Sequence, residues 1–183
     1  MDKKPKVLLT NDDGADAPGL WVLFDRLQAF ADPVVLAPMT EQSGRGHAVT
    51  IRERMALEPL ERNGQTVGWK LDGMPADCVK LALSKLYAGQ IALVISGINP
   101  GSNAGNNILY SGTVAGAVEG AIYGVPAMAV SLRDENRPPT QFATAARVAE
   151  TLAREIFDRG LPPGVVLNVN VPDIPWEQVD GFE

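Results

Sequence analysis

Two adjacent acidic residues, Asp12 and Asp13, follow the apolar residues 7–10 in the sequence Asn-Asp-Asp-Gly. Neighbouring carboxylates repel each other unless solvent or a cation separates them. Gly14 permits a tight backbone turn that would direct both carboxylates toward one point. The pattern is typical either of a solvated loop or of a site in which oxygen atoms hold a hard divalent cation such as Mg²⁺, Mn²⁺ or Ca²⁺.

A second polar segment, residues 42–47, follows another apolar run and reads Gln-Ser-Gly-Arg-Gly-His. Ser43 offers a neutral oxygen ligand, and the backbone around Gly44 offers N–H groups to an anion. Arg45 is either a phosphate contact or a solvated surface residue. His47 is the only histidine in the chain. It is either an acid or base in catalysis or, as we expect, a loop residue hydrogen-bonded to the backbone.

The third and densest polar segment, residues 96–113, is rich in glycine and asparagine and includes Asn99 and Asn103. Its last three residues, Ser111, Gly112 and Thr113, are predicted to open a helix, where free N–H groups and the helix dipole favour an anion. The serine is also a suitable N-cap. The spacing matches neither a P-loop nor a dinucleotide-binding fingerprint, which argues against a nicotinamide-dependent oxidoreductase.

Composition narrows the function further. The chain has 183 residues, and its 16 Lys+Arg against 22 Asp+Glu give a net charge of −6. This balance argues against binding to duplex nucleic acid or to an anionic membrane surface. A single cysteine excludes an intrachain disulfide and a Cys-based zinc site. We therefore expect a soluble, cytoplasmic protein with one domain over residues 1–183.

The elements that must position these side chains alternate between strands and helices. Continuous apolar runs predict buried parallel strands, and apolar residues at helical spacing lie between them. The predicted strands cover residues 7–10, 34–37, 92–96, 127–131 and 165–169, and the helical patterns cover 20–30, 79–86 and 142–156. This order predicts a three-layer, Rossmann-like α/β fold with a mostly parallel sheet and helices on both faces.

Residues 48–71 depart from that order. They contain short alternating apolar runs around Asn63-Gly64, which predicts a β-hairpin excursion between two βα units. In open α/β sheets, ligands bind at the carboxyl ends of the strands. The three polar segments are therefore expected to meet at that edge.

Taken together and in order, these segments resemble the SurE family of stationary-phase survival proteins. The resemblance lies in residues 7–20, 37–50, 72–79, 96–120 and 167–172. It implies that the metal ligands are Asp12, Asp13, Ser43 and Asn99. It also implies that the substrate is held by Gly44, Asn99, Asn103, Ser111, Gly112 and Thr113.

The resemblance implies divalent-metal-dependent hydrolysis of nucleoside monophosphates, a 5'- and 3'-nucleotidase activity. One ion per chain, Mg²⁺ or Mn²⁺, would activate water, and Asp12 or Asp13 would serve as the general base. Assembly into a homodimer or homotetramer is implied as well. Two alternatives stay open: a phosphatase in which an aspartate attacks covalently, and a non-catalytic protein that binds a nucleotide or a divalent ion.

The sequence departs from the family pattern in two places. Met74 stands where the family has threonine before Pro75. If Pro75 is the first helical residue, Met74 is an N-cap that lacks a hydroxyl acceptor, and Asp77 would compensate in part. The chain ends at Glu183, where family members continue with a C-terminal part. We expect this difference to affect oligomer assembly and full activity.

Overall fold

A seven-stranded, mostly parallel sheet forms the centre of the computed structural model, which describes residues 3–133 and 140–183. The strands are β1 (Lys6–Thr10), β2 (Asp32–Pro38), β3 (Leu57–Arg62), β4 (Gln65–Leu71), β5 (Ile91–Pro100), β6 (Ala127–Arg133) and β7 (Val166–Pro172). Their order across the sheet is β3-β4-β2-β1-β5-β6-β7. Only the pairing of β3 with β4 is antiparallel. The predicted α/β fold class is confirmed.

Helices cover both faces of the sheet. They are α1 (Pro18–Leu27), α2 (Pro75–Leu81), α3 (Gly112–Ile122) and α4 (Phe142–Arg159), and a π turn (Ala82–Leu86) extends α2. One apolar cluster lies between the sheet and α1 with α4, and a second lies on the face covered by α2 and α3. Burial on both faces explains why the strands read as continuous apolar runs. No helix in residues 3–133 and 140–183 is long and apolar enough to cross a membrane.

The predicted hairpin forms, but over a shorter range than residues 48–71. Its strands are β3 and β4, and the turn residues Asn63 and Gly64 have φ angles of 52° and 75°. The hairpin is not separate from the main sheet, because β4 pairs in parallel with β2 and so extends that sheet. The alternation of Val49 and Ile51 does not produce a strand, and Ile51 is 84% exposed.

Two further boundaries bear on the site. β5 runs to Pro100, so Asn99 belongs to the end of a strand and not to a loop. Helix α2 begins at Pro75 with Met74 as its N-cap, as the sequence predicts, and the Met74 side chain makes no capping hydrogen bond. Asp77 accepts a hydrogen bond from the Met74 backbone N–H at 3.0 Å, and it also accepts bonds from Thr50. Asp77 therefore lies in the first turn of α2 and bonds the backbone of the N-cap residue.

Candidate active site

The three polar segments meet in a cleft of about 460 Å³ at the carboxyl edge of the sheet. β1 lies between β2 and β5 in the sheet. The strands that follow β1 in the sequence are first added on the β2 side, and those from β5 onward are added on the opposite side. Such a switch in strand order is where doubly wound sheets bind ligands. The cleft is lined by Asp12, Asp13, Glu41, Ser43, Gly44, Asn99, Pro100, Ser102, Asn103, Asn107, Tyr110 and Ser111. A larger cavity, of about 680 Å³, lies where strands begin and contains none of the predicted site residues.

Asp12 is held in place by the start of α3. It is buried, and its Oδ1 accepts a hydrogen bond from the Thr113 hydroxyl. Burial raises the pKa of Asp12, while the hydrogen bonds from Thr113 and from the backbone of Gly112 oppose that rise. A methyl group on Gly112 would lie 2.7 Å from the Asp12 Cβ. Helix α3 therefore packs directly against this carboxylate, at the end where its dipole favours negative charge.

Asp13 is the less satisfied of the two carboxylates. Its Oδ2 is buried and has no hydrogen-bond partner. Burial, followed by the negative charges of Asp12 and Glu41, raises the pKa of Asp13 from 3.8 to about 7. A buried acceptor without a donor is unfavourable, and a cation would relieve both this defect and the repulsion between the carboxylates. The residues present therefore fit a divalent metal ion.

Hydroxyl and amide oxygens complete the set of possible ligands. The Ser43 hydroxyl donates to Glu41 Oε1 at 2.7 Å. The Asn99 amide nitrogen donates to the Gly101 carbonyl at 2.7 Å, and its oxygen stays available as an acceptor. Across residues 3–133 and 140–183, no group of three His, Cys, Asp or Glu residues could hold a metal. A metal here would need neutral oxygen ligands beside the carboxylates, a donor set that suits Mg²⁺, Mn²⁺ or Ca²⁺.

The predicted phosphate turn divides into two roles. Ser111 lines the cleft and caps α3, because its hydroxyl accepts from the Val114 N–H at 3.1 Å. Gly112 and Thr113 are buried beside Asp12 and do not line the cleft. The structure thus gives these two residues a position from which they orient Asp12.

Asn103 is buried at the base of the cleft in a network that reaches β7. Its amide nitrogen donates to the Ser131 hydroxyl at 2.9 Å, and its backbone N–H donates to Asn170 Oδ1 at 2.8 Å. The same Asn170 oxygen accepts from the Ser102 hydroxyl at 3.1 Å, and Asn168 donates to the Asn103 carbonyl at 2.7 Å. β7 therefore fixes the loop that carries Asn103.

Several residues of the site were missed by the sequence analysis. Glu41, Asn107 and Tyr110 line the cleft, and no motif in the sequence marks them. For Asn168 and Asn170 a signal exists, because residues two apart on a strand share one face of the sheet. Two asparagines on one face of an otherwise apolar strand indicate a polar partner above that face.

Arg45 and His47 do not line the cleft. Arg45 is exposed to solvent. His47 Nε2 lies 2.9 Å from Oε2 of Glu119, a buried residue of α3. The expectation of a backbone partner for His47 is therefore wrong, since its partner is a carboxylate.

The fold and the cleft define a doubly wound α/β protein with an oxygen-donor site at its switch point. The family model described as "Survival protein SurE" matches residues 7–183. The chain belongs to the SurE family.

Relatives of known name align with most of the length of this chain. A protein of Syntrophobacter fumaroxidans named 5'-nucleotidase SurE is 45% identical over 97% of this chain and 70% of its own length. A protein of the same name from Heliobacterium modesticaldum is also 45% identical, over 97% of this chain and 65% of its own length. The crystal structure of the SurE protein from Aquifex aeolicus superposes with a TM-score of 0.90 at 38% identity and covers 98% of this chain. The chain spans 71% of that protein, and 70% and 65% of the two named relatives.

Proposed function

We propose that this chain is a divalent-metal-dependent phosphatase that hydrolyses nucleoside monophosphates, with 5'-nucleotidase activity. The observation that carries the proposal is the pair Asp12 and Asp13, in which a buried Asp13 oxygen lacks any hydrogen-bond donor. The pair lies in a cleft with amide and hydroxyl groups. Relatives that share 45% of its residues are named 5'-nucleotidase SurE.

Asp12, Asp13, Ser43 and Asn99 would hold the metal. When bound, a divalent ion would neutralise charge on the phosphoryl oxygens and lower the pKa of a water molecule. Mg²⁺ and Mn²⁺ both fit the oxygen donors of this cleft. The choice between them, and one ion per chain, are part of the proposal.

The protein residues divide the remaining work. Asp12 is oriented by Thr113 and stays fixed, whereas Asp13 has a free oxygen that can accept a proton from the attacking water. Asn103 and Ser111, at the base of the cleft and at the start of α3, would position the phosphoryl group beside the two carboxylates. Phosphoryl transfer depends mainly on such positioning and on charge stabilisation.

The resemblance to the family also leads us to propose a cytoplasmic homodimer or homotetramer. Because the chain spans about two thirds of its relatives' length, its assembly and its activity need direct measurement. Light scattering on the purified chain measures its oligomeric state. A monomer with full activity would show that activity does not depend on assembly.

Phosphate release from 5'-AMP, 3'-AMP and GMP tests the activity. We expect release by the 183-residue chain with Mg²⁺ or Mn²⁺, loss of release with EDTA, and recovery when the metal is returned. Absence of metal-dependent release, while Mn²⁺ still binds, would favour a binding protein. A trapped phosphoenzyme would instead favour covalent attack by an aspartate.

A further inference from the structure

A side-chain contact between His47 and Glu119 joins the loop that carries Ser43 to α3. His47 Nε2 lies 2.9 Å from Glu119 Oε2. We propose that His47 and Glu119 are a positioning pair that holds the Ser43 loop in the geometry needed for metal binding. This inference rests on the proposed function, because it takes Ser43 as a ligand.

The loop needs such support. Ser43, Gly44 and Arg45 are all exposed to solvent. The flanking backbone is fixed on both sides, since the Gln42 N–H donates to the Asp12 carbonyl at 2.6 Å and the Gly46 N–H donates to the Tyr110 carbonyl at 3.0 Å. An exposed segment between two anchors keeps much of its freedom, and ordering it on metal binding costs entropy. A further anchor after Gly46 reduces that cost before the metal arrives.

Glu119 is suited to provide this anchor. It is only 7% exposed, and a buried carboxylate needs a hydrogen-bond partner. His47 supplies that partner from the loop. The same helix, α3, holds Asp12 through the hydroxyl of Thr113. One rigid element therefore fixes ligands that come from the ends of β1 and β2.

The contact depends on an N–H donor at position 47 and not on an imidazole as such. His47→Ala removes the donor, and His47→Gln retains an N–H group in its amide. Residues that support metal ligands from outside typically change metal affinity by about 10- to 100-fold. We expect Mn²⁺ affinity to fall about 10-fold in His47→Ala and by no more than about 3-fold in His47→Gln.

A matched control is available on the other face of the sheet. Arg62 of β3 donates two hydrogen bonds to Asp25 of α1, at 2.5 and 2.8 Å, and neither residue lines the cleft. Asp25→Ala removes an ion pair without touching the site. We expect it to keep the Mn²⁺ affinity of the wild type, whatever its effect on melting temperature.

The experiment measures Mn²⁺ binding by electron paramagnetic resonance on the full chain and its three variants, with melting temperatures alongside. Wild-type affinity in His47→Ala would overturn the inference. So would equal losses in His47→Ala and Asp25→Ala, because they would indicate a general effect on stability. Hydrolysis of AMP by the wild type is measured separately. Its absence, with Mn²⁺ bound, would overturn the proposed function and leave the positioning pair standing.

Discussion

The hydroxyl of Thr113 donates a hydrogen bond to Oδ1 of Asp12, and so connects the start of α3 to the end of β1 across 101 residues of sequence. Gly112 packs against the same carboxylate. Asp13, beside it, keeps a buried oxygen without a donor. One aspartate is thus held by the protein, and the other is left to bind something else. This asymmetry leads to the first two predictions.

Asp13→Asn should abolish metal binding and stabilise the metal-free protein. The substitution removes a charge that burial, Asp12 and Glu41 all disfavour. We expect phosphatase activity to fall at least about 100-fold, because a charged ligand is lost. The melting temperature in EDTA should rise above that of the wild type, and Mn²⁺ should no longer raise it. Calorimetry in EDTA and in Mn²⁺ measures both effects. Turnover at the wild-type rate would show that Asp13 is neither a metal ligand nor a catalytic group.

The stability of the metal-free protein should fall as pH rises from about 4 to about 7. The pKa of Asp13 is 3.8 in an unperturbed chain and about 7 in the folded protein. Between these values the unfolded chain has lost the proton and the folded chain retains it, so raising the pH favours unfolding. At about 1.4 kcal/mol for each pKa unit, the loss is at most ~4 kcal/mol. Burial raises the pKa of Asp12 too, which adds a change of the same sign.

Denaturant unfolding in EDTA, at several pH values, tests this dependence. Titrating groups remote from Asp13 contribute equally to the wild type and to Asp13→Asn. The difference in unfolding free energy between the two proteins therefore reports Asp13 together with the two carboxylates coupled to it, Asp12 and Glu41, and it should grow in favour of the variant up to about pH 7. A difference that stays constant with pH would show that Asp13 titrates normally.

Much of the fold follows from local patterns in the sequence. Continuous apolar runs indicate strands buried on both faces. They predict the ends of β1, β2 and β6 to within two residues. The edge of the sheet is less predictable, because β4 pairs with β2 only through contacts between distant parts of the chain. The apolar Ile51 alternates like a strand residue and is nevertheless exposed. Local alternation does not specify a partner strand.

The candidate site shows the same division. Asp12 comes shortly after β1 and Asn99 lies at the end of β5, so their place at the carboxyl edge can be predicted from the fold class. The contacts that orient them cannot be predicted this way. Asn170 lies 67 residues from Asn103, and His47 lies 72 residues from Glu119. Each contact depends on how two elements pack, which no short motif describes.

Met74→Thr should stabilise the protein. Met74 is the N-cap of α2 and makes no side-chain capping bond. A threonine hydroxyl there could accept from the backbone N–H of Asp77, and such caps are worth about 0.5–2 kcal/mol. Asp77 already accepts from the Met74 backbone, so threonine would complete a reciprocal capping box. Thermal unfolding measures the gain. An unchanged or lower melting temperature would contradict the capping role.

Asn170→Ala should lower kcat/KM clearly while changing the melting temperature only slightly. Asn170 accepts hydrogen bonds from the Ser102 hydroxyl and the Asn103 N–H, both on the loop at the base of the cleft. Losing two bonds of about 0.5–1.5 kcal/mol each frees that loop, and we expect kcat/KM for AMP to fall about 10-fold. Thr151→Ala is the control, because that hydroxyl donates within its own helix, to the Arg147 carbonyl. Equal activity in the two variants would show that the hydrogen bonds from Asn170 of β7 do not affect catalysis.

Gly112→Ala should disable the site, whereas Gly120→Ala on the same helix should not. The added methyl at position 112 would lie 2.7 Å from Asp12 Cβ and 3.0 Å from Asp12 Oδ2, so the carboxylate must move. At position 120 the methyl meets Val94 and Ala127 at 3.0–3.1 Å, which is milder crowding, in the core and away from the cleft. Both variants should melt at lower temperature. Only Gly112→Ala should lose Mn²⁺ affinity, by about 10-fold or more, since the protein holds Asp12 through the start of α3. Titration of both variants with Mn²⁺ decides this, and equal affinities would mean that close packing of Gly112 does not set the position of Asp12.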